Sequence, residues 1–321
     1  MIAVPALVVL LALAPGLLVT TLLFGPGTLL NLLAGSLVLL VVNRMRKQRL
    51  PGSRLPWVGV VVLALALPPA TPLWLVVPCA VLVGLLHARD ATRRLPFNTA
   101  LLAAALLFLA FPGRLPAWPS VPAGVDGWTA QVRQAMTGEP VTDASTGATA
   151  LVAMAQRSPF TISEIRAASA AFGRWGGAGS EWVAIAWLAG GLWLLQRRVV
   201  AWHAPLGCIV GAACAAAALY EGDGALGGAP PTLHLLAGST LLVAFFALTE
   251  PGSRPRLPSG QLLSGLFAGT LIVTLRHRAG GADHAAVVVL LANALAPVFD
   301  ALGSRLRRPQ RPAAGTAGES P

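Results

Sequence analysis

The sequence predicts an all-α polytopic membrane protein with about ten transmembrane helices arranged in two halves of five. Hydrophobic residues make up 55% of the 321 positions and charged residues only 11%, whereas a soluble domain carries about a quarter charged residues. The apolar residues form long continuous runs, without the alternation that is typical of a membrane β-barrel. Helices are therefore the predicted spanning elements, because they satisfy their backbone hydrogen bonds internally.

Ten segments approach the roughly 20 apolar residues that a lipid-spanning helix needs. The first is interpreted as a helix and not as a cleaved signal, since it contains Pro5 and Pro15 and no basic residue precedes it. The third and fourth are short, and prolines at 68–72 separate them; such a break is tolerated in a membrane only against protein or a polar cavity. The predicted spans are 4–24, 28–43, 56–70, 73–88, 98–113, 181–197, 203–220, 234–249, 261–276 and 284–303.

The spans divide the chain into four parts. Residues 1–113 hold the first five spans, 114–180 form a long hydrophilic interruption, and 181–303 hold the last five. Residues 304–321 are basic and proline-rich and are predicted to be a disordered tail. The two halves enter the membrane from opposite sides, so an internal repeat would be an inverted one.

The distribution of basic residues predicts the orientation. Cytoplasmic loops of membrane proteins carry an excess of Lys and Arg, which places both termini in the cytoplasm and 114–180 on the outer face of a bacterial inner membrane. Topology thus accounts for the net charge of +11, and no nucleic-acid partner is predicted. The residues on the cytoplasmic side are Arg44, Arg46, Lys47, Arg49, Arg54, Arg89, Arg93, Arg94, Arg197, Arg198, Arg254, Arg256, Arg305, Arg307, Arg308 and Arg311; Arg276 and Arg278 lie in a short loop on the other side.

The outward segment contains two predicted short helices. The first lies near 126–137, and the second starts at a capping-box pattern, Thr161 with Glu164, and runs to about Phe172. Between them lies the small polar stretch Asp143-Ala-Ser-Thr-Gly-Ala-Thr149. It resembles the pattern on which a separate flavin transferase links FMN to a threonine hydroxyl through the flavin's phosphate.

In this interpretation Thr149 is the FMN acceptor. Gly147 and Ala148 leave room for the transferase to approach the backbone, and Asp143 positions the loop or the incoming substrate. Thr146, with Ser145, is a neighbouring alternative acceptor, and an ordinary turn of Ser, Thr and Gly is the alternative for the whole stretch. A covalent tether prevents loss of FMN on the outer face, and a phosphoester leaves the redox-active ring unmodified.

Much of the remaining chain resembles the RnfD protein of the Rnf electron-transport complex and, more distantly, the NqrB protein of the sodium-translocating NADH:quinone reductase. The resemblance runs in order through nearly the whole chain. The start at the first helix favours the Rnf type, Glu250 stands where the family usually has aspartate, and the outward segment is short. The matching residues are Pro68-Pro69, Pro72, Trp74, Leu95 to Asn98, Ala186 to Trp193, His234 to Thr240, Phe245-Phe246, Thr249 to Pro251, Gly260-Gln261, Gly265, Gly269, Leu290 to Ala294, Pro297 and Asp300.

The resemblance implies a redox-active membrane subunit, not an enzyme on its own. It would relay electrons through FMN on Thr149 and help to couple ferredoxin–NAD chemistry to Na⁺ or H⁺ transport, together with other membrane and peripheral subunits. Members of the family are also thought to hold riboflavin non-covalently. The alternative function is a flavin-free ten-helix channel or secondary transporter, which would use the same halves and broken helices.

Four further residues are candidates for an ion or proton path, because polar groups at membrane depth are often functional. Glu250 and Asp300 lie at predicted cytoplasmic ends, with helix capping as the alternative. His234 opens the eighth span and changes charge near neutral pH, with a helix-start hydrogen bond as the alternative. Asn98 offers a donor and an acceptor, or simply starts a helix. The histidines and cysteines have no metal-ligand spacing, so no metal site is predicted.

Overall fold

The computed structural model describes residues 6–45, 55–90, 96–111, 113–122, 124–139, 148–156, 160–222, 228–279 and 283–306. Helical structure occurs at each of the ten predicted spans, and within these ranges the only β pairing is an isolated bridge between Phe172 and Gly177. The all-α prediction is therefore confirmed. The helices are α1 (Ala6–Phe24), α2 (Gly27–Met45), α3 (Leu55–Ala66), α4 (Leu73–Asp90), α5 (Thr99–Ala110), α6 (Val125–Thr137), α7 (Ala150–Ala155), α8 (Ile162–Ala168), α9 (Ser180–Gln196), α10 (His203–Leu219), α11 (Pro231–Leu236), α12 (Thr240–Leu242), α13 (Pro258–Arg278), α14 (Ala285–Ala294) and α15 (Ala296–Leu306).

Three of the described helices, α1, α2 and α13, are long and apolar enough to cross a bilayer individually. A fourth crossing is available if α14 and α15, which bend by 58° at their junction, form one span. The helices α3, α4, α5 and α10 are apolar but shorter. The chain is thus a membrane protein, and the number of ten crossings stays a prediction.

Two predicted spans are broken. The eighth consists of α11, an irregular stretch at 237–239, α12 and a π-helical turn at Val243–Ala247, in which Leu248 N donates to Val243 O. The tenth bends where α14 meets α15, and α15 continues to Leu306, into the predicted tail. Apolar periodicity could not reveal either break, because both lie inside runs of hydrophobic residues.

The outward segment folds as three short helices. α6 agrees with the helix predicted near 126–137, and α8 begins at the predicted capping box, in which Thr161 and Glu164 bond reciprocally to each other's backbone N–H. α8 ends at Ala168, earlier than predicted. The third helix, α7, follows Thr149 directly and was not predicted.

The two halves pack by corresponding pairs of helices. α2 packs on α4 in the first half, α10 packs on α13 in the second, and α1 and α9 meet between the halves. The inverted relation of the halves stays a prediction. Asn98 and Asn293, the two asparagines that stand at helix ends in the sequence, meet directly: Asn98 N donates to Asn293 Oδ1 at 3.0 Å. Asn293 Nδ2 then donates to Ser253 O at 3.3 Å.

Glycines allow α10 and α13 to approach closely. Each helix carries two glycines four residues apart, Gly207 and Gly211 on α10 and Gly265 and Gly269 on α13. A Cβ at Gly211 would lie 2.4 Å from Leu266 O, and one at Gly269 would lie 2.0 Å from Cys208 O. Such small-residue faces drive helix association in lipid, where no hydrophobic effect acts between helices.

Replacing Gly269 by Ala is expected to destabilise the folded protein by about 1–3 kcal/mol, because the backbones must separate to admit the methyl group. The sign is informative, since Ala is favoured over Gly in a helix by about 1 kcal/mol when space is free. Thermal unfolding of the purified protein in detergent measures the effect. The control is Gly124→Ala, where the added Cβ meets nothing within 4 Å. Equal melting temperatures for the two variants would contradict the close-packing argument.

Candidate functional site

The predicted flavin-attachment stretch is described only at its end. Asp143, Thr146 and Gly147 lie outside the described residues, whereas Ala148 and Thr149 lie within them. Ala148 is exposed and Thr149 is part-exposed. An incoming enzyme can therefore reach the proposed acceptor from solvent.

Thr149 is the N-cap residue of α7. Its backbone is extended, with φ −63° and ψ 160°, and its Oγ1 accepts from Val152 N at 3.4 Å. An N-cap threonine supplies one of the bonds that the first turn of a helix lacks. The long distance makes this a weak bond, so esterification of Oγ1 would cost little helix stability.

A small hydrophobic cluster attaches α7 to the membrane helices. Leu151 and Met154 of α7 are buried against Leu233 and Ala237, which flank the break of the eighth span, and against Ile162 of α8. α7 also contacts α13. Thr149 is therefore carried on a helix that is packed on the second half of the protein.

A buried arginine lies beneath α7. Arg276, in the last turn of α13, is 1% exposed, and its Nη1 donates to His234 O and Thr240 Oγ1, both at 2.8 Å. Its Nη2 pairs with Asp283 Oδ1 at 3.1 Å, while Asp283 Oδ2 accepts from Ser239 N at 2.7 Å. The ion pair thus supplies donors and an acceptor to the backbone of the break, where no regular helical bonds form.

Gly238 brings this network into contact with α7. It has φ +76°, a conformation that favours glycine. A Cβ there would lie 2.8 Å from Arg276 Nη2 and from Asp283 Oδ2, and 3.0 Å from Leu151 Cδ1. The break, the ion pair and the helix that begins after Thr149 are therefore one packed unit.

A second carboxylate missed by the sequence analysis shapes the outer surface. Glu181, in the first turn of α9, is buried and accepts backbone N–H bonds from Arg174, Trp175 and Gly176 at 3.4, 2.9 and 3.0 Å. This carboxylate fixes the loop at 173–176. An acidic residue in the first turn of a helix is common, so the sequence held no signal for this longer-range contact.

The predicted ion-path residues lie apart from Thr149. Asp300 accepts from Arg256 N at 2.9 Å and from Leu257 N at 2.8 Å, at the start of α13. Glu250 Oε2 accepts from Ser253 Oγ at 3.4 Å. Arg276 and Thr149's helix lie at the other end of α13, about 30 Å along a helix of this length.

Asn98 and His234 are both buried. Asn98 caps α5 through a bond from Leu101 N to its Oδ1 at 3.0 Å, in agreement with the helix-start alternative. His234 lies in α11, and among the described residues its Nδ1 has no hydrogen-bond partner. Its ring borders a small cavity between α7 and α13, lined also by Met154, Arg276 and His277.

Comparison with known proteins places this geometry in a family. Residues 3–306 match the NQR2, RnfD, RnfE family. The chain is similar to proteins named as the D subunit of an ion-translocating oxidoreductase complex. That of Pseudomonas aeruginosa strain UCBPP-PA14 is 39% identical over 298 residues, which cover 90% of this chain and 86% of the relative. That of Ectopseudomonas mendocina is 38% identical over 305 residues (91% and 87%), and that of Escherichia coli O7:K1 is 31% identical over 325 residues (92% and 90%).

The Arg276–Asp283 pair generates a pH-dependent prediction. Burial alone would raise the pKa of the Asp283 carboxyl, but the adjacent Arg276 guanidinium and the bond from Ser239 lower it below its usual value of 3.8. Because the folded-state pKa is the lower one, the carboxylate stabilises the fold above pH 3.8, and this contribution is lost as the pH falls through the folded-state pKa. Asp283→Asn is expected to cost about 1–3 kcal/mol at pH 7.

Thermal unfolding of wild type and Asp283→Asn in detergent at pH 7 and near pH 3 measures this difference. The gap in melting temperature is expected to narrow at the lower pH. The control, Glu139→Gln, removes an exposed carboxylate and should leave the melting temperature unchanged. A gap of the same size at both pH values would show that the charge of Asp283 has no part in the effect.

Proposed function

The chain belongs to the NQR2, RnfD, RnfE family, and on that basis we propose that it is the D subunit of an ion-translocating oxidoreductase complex and carries FMN on Thr149. The observation that carries the proposal is the position of Thr149. Its hydroxyl is part-exposed, follows an exposed alanine and begins a helix that is packed on the membrane helices. A flavin attached there is held at a defined place on the bundle and remains accessible to partner subunits.

Attachment requires a flavin transferase as a maturation partner. In this step a bond forms between Thr149 Oγ1 and the FMN phosphorus of a flavin adenine dinucleotide. The bond between that phosphorus and the bridging pyrophosphate oxygen breaks, AMP leaves, and the hydroxyl proton passes to the transferase. The described residues suit this chemistry, because Ala148 has a minimal side chain and the Thr149 hydroxyl has only one weak bond.

The bound flavin would supply reversible electron transfer, which no side chain of this protein can provide. The protein's part is to hold and orient it: the α7 cluster fixes the attachment point, and the Arg276–Asp283 pair fixes the break on which α7 rests. Electrons from ferredoxin–NAD chemistry would pass through this subunit to others in the complex. Riboflavin, bound non-covalently, is a further proposed cofactor.

Ion transport would be served at the opposite end of the same helix. Glu250 and Asp300 lie near the start of α13, and Thr149's helix rests near its end. α13 therefore offers a rigid connection between the redox end and two carboxylates that would face the cytoplasm. Asn98, Asn293 and Ser253 extend this polar region into the first half. The transported ion would be Na⁺ or H⁺.

Exposed apolar surfaces suit a subunit that is surrounded by lipid and partner proteins. α1 and α2 carry leucines along their outer faces, and the remaining subunits of the complex would cover part of them. The proposed location is the bacterial inner membrane, with cytoplasmic termini and the outward segment on the outer face. The exposed leucines on α1 and α2 are Leu7, Leu11, Leu18, Leu22, Leu29, Leu33, Leu37 and Leu40.

Thr149→Ala tests the attachment. Co-expression with a flavin transferase, denaturing electrophoresis and in-gel fluorescence are expected to give a flavin band for wild type and none for the variant, with peptide mass mapping to locate the adduct. Thr161→Ala is the matched control, because Thr161 is also a part-exposed N-cap threonine in the outward segment. It removes a cap worth about 1 kcal/mol and should keep the band.

Two results would contradict the proposal in different ways. A fluorescent Thr149→Ala band would move the acceptor to Thr146 or Ser145. A wild-type chain without flavin, beside a transferase substrate that does label, would remove the redox role and favour the flavin-free transporter.

Fusions to alkaline phosphatase, which is active only outside the cytoplasm, test the orientation. A fusion after residue 139, in the outward segment, is expected to be active, and one after residue 306 is expected to be inactive. The excess of basic residues in the loops on the predicted cytoplasmic side is the physical reason. Green fluorescent protein at the same two sites serves as the control, because its fluorescence should follow the reverse order. The opposite pattern at both sites would overturn the assigned orientation.

A further inference from the structure

An apolar cleft opens beside α7 on the outward segment. Met154 of α7, Phe172, Trp175 and Leu233 line its walls, and Arg166 of α8 lies at its edge. The cleft encloses about 230 Å³, which is enough for part of a flat ring system and too little for a whole nucleotide. The ligand class that it fits is a planar aromatic group with a polar edge.

The aromatic wall of the cleft is held in place. Trp175 N and Gly176 N donate to the buried Glu181 carboxylate, and a Cβ at Gly176 would lie 2.7 Å from Leu236 O. The Trp175 ring has Trp182 on one side, at a centroid distance of 6.3 Å, yet it stays 44% exposed. An exposed, fixed indole is a surface on which another aromatic ring can stack.

Arg166 adds a charged donor to this apolar site. Its Nη2 donates to Gly173 O and Arg174 O, both at 3.2 Å, which orients the guanidinium beside the cleft. Nε and Nη1 carry further N–H groups. A fixed cation with such donors complements carbonyl oxygens on a ring that becomes more electron-rich when it is reduced.

We propose that this cleft receives the isoalloxazine ring of the flavin attached to Thr149, with Trp175 stacking on the ring and Arg166 facing its carbonyl-bearing edge. The inference rests on the proposed function, since it requires the attached flavin. α7 supplies both the attachment point and a wall of the cleft. From Thr149 to Met154 the helix rises by about 8 Å, a length comparable with that of the ribityl phosphate chain. Trp175 and Arg166 are positioning residues for the cofactor.

Native flavin fluorescence tests the stacking. An indole in contact with an isoalloxazine quenches its emission by electron transfer, so wild type purified from cells with a flavin transferase should be weakly fluorescent when folded. Trp175→Leu is expected to raise the emission per covalent flavin by at least about fivefold, the change in docked population that a lost aromatic stack produces. Iodide, a collisional quencher, should then reach the ring more readily than in wild type.

Matched variants separate stacking from general disturbance. Trp182→Leu removes the ring that contacts Trp175 but does not line the cleft, and it should emit as wild type does. Trp175→Phe keeps an aromatic surface and should lie between wild type and Trp175→Leu. Arg166→Gln should lower the midpoint potential of the flavin, because a cation near the ring favours its reduced form.

The outcomes distinguish this proposal from the one on which it rests. The denatured band reports attachment at Thr149, and the folded emission reports the position of the ring. A strong denatured band with equal folded emission and equal iodide quenching in wild type and Trp175→Leu would place the ring elsewhere and overturn the cleft assignment alone. Absence of the denatured band in wild type would remove both proposals together.

Discussion

The buried Arg276 guanidinium is the interaction on which the outer part of the second half depends. An interrupted helix leaves N–H and C=O groups without partners, and each costs several kcal/mol where water is excluded. Arg276 donates to His234 O and Thr240 Oγ1, and its partner Asp283 accepts from Ser239 N. One ion pair thus supports the break at 237–239. α7 packs on that break, so the position of Thr149 follows from the same pair.

Close backbone contact is the second constraint. Glycines at the α10–α13 crossing bring backbones together, and α13 in turn sets the distance between the two ends of the proposed mechanism. A rigid α13 holds the Arg276 network about 30 Å from the site where Asp300 caps its first turn. Asp300 therefore has a structural role in capping α13, and any role in ion transport would have to be compatible with those bonds.

Several functional expectations could be read from residues that are neighbours in the chain. The composition predicted an all-α membrane protein, the Thr161–Glu164 spacing predicted a helix start, and the stretch that ends at Thr149 predicted a modification site. In each case the relevant contacts span only a few residues, so their chemistry is visible in the order of the letters. Whether Thr149 carries a flavin stays a prediction that the labelling experiment can settle.

Other features were decided by tertiary structure. Arg276 reads as a loop residue in the sequence because it follows an apolar run, yet it is buried because the neighbouring span breaks. Asn98 and Asn293 stand 195 positions apart and meet by one hydrogen bond. Glu181 organises a loop that precedes it. The sequence by itself determined the fold class, because burial in lipid depends on local hydrophobicity. Only the tertiary structure decided which polar groups meet, because partners for buried donors and acceptors are chosen by packing between distant segments.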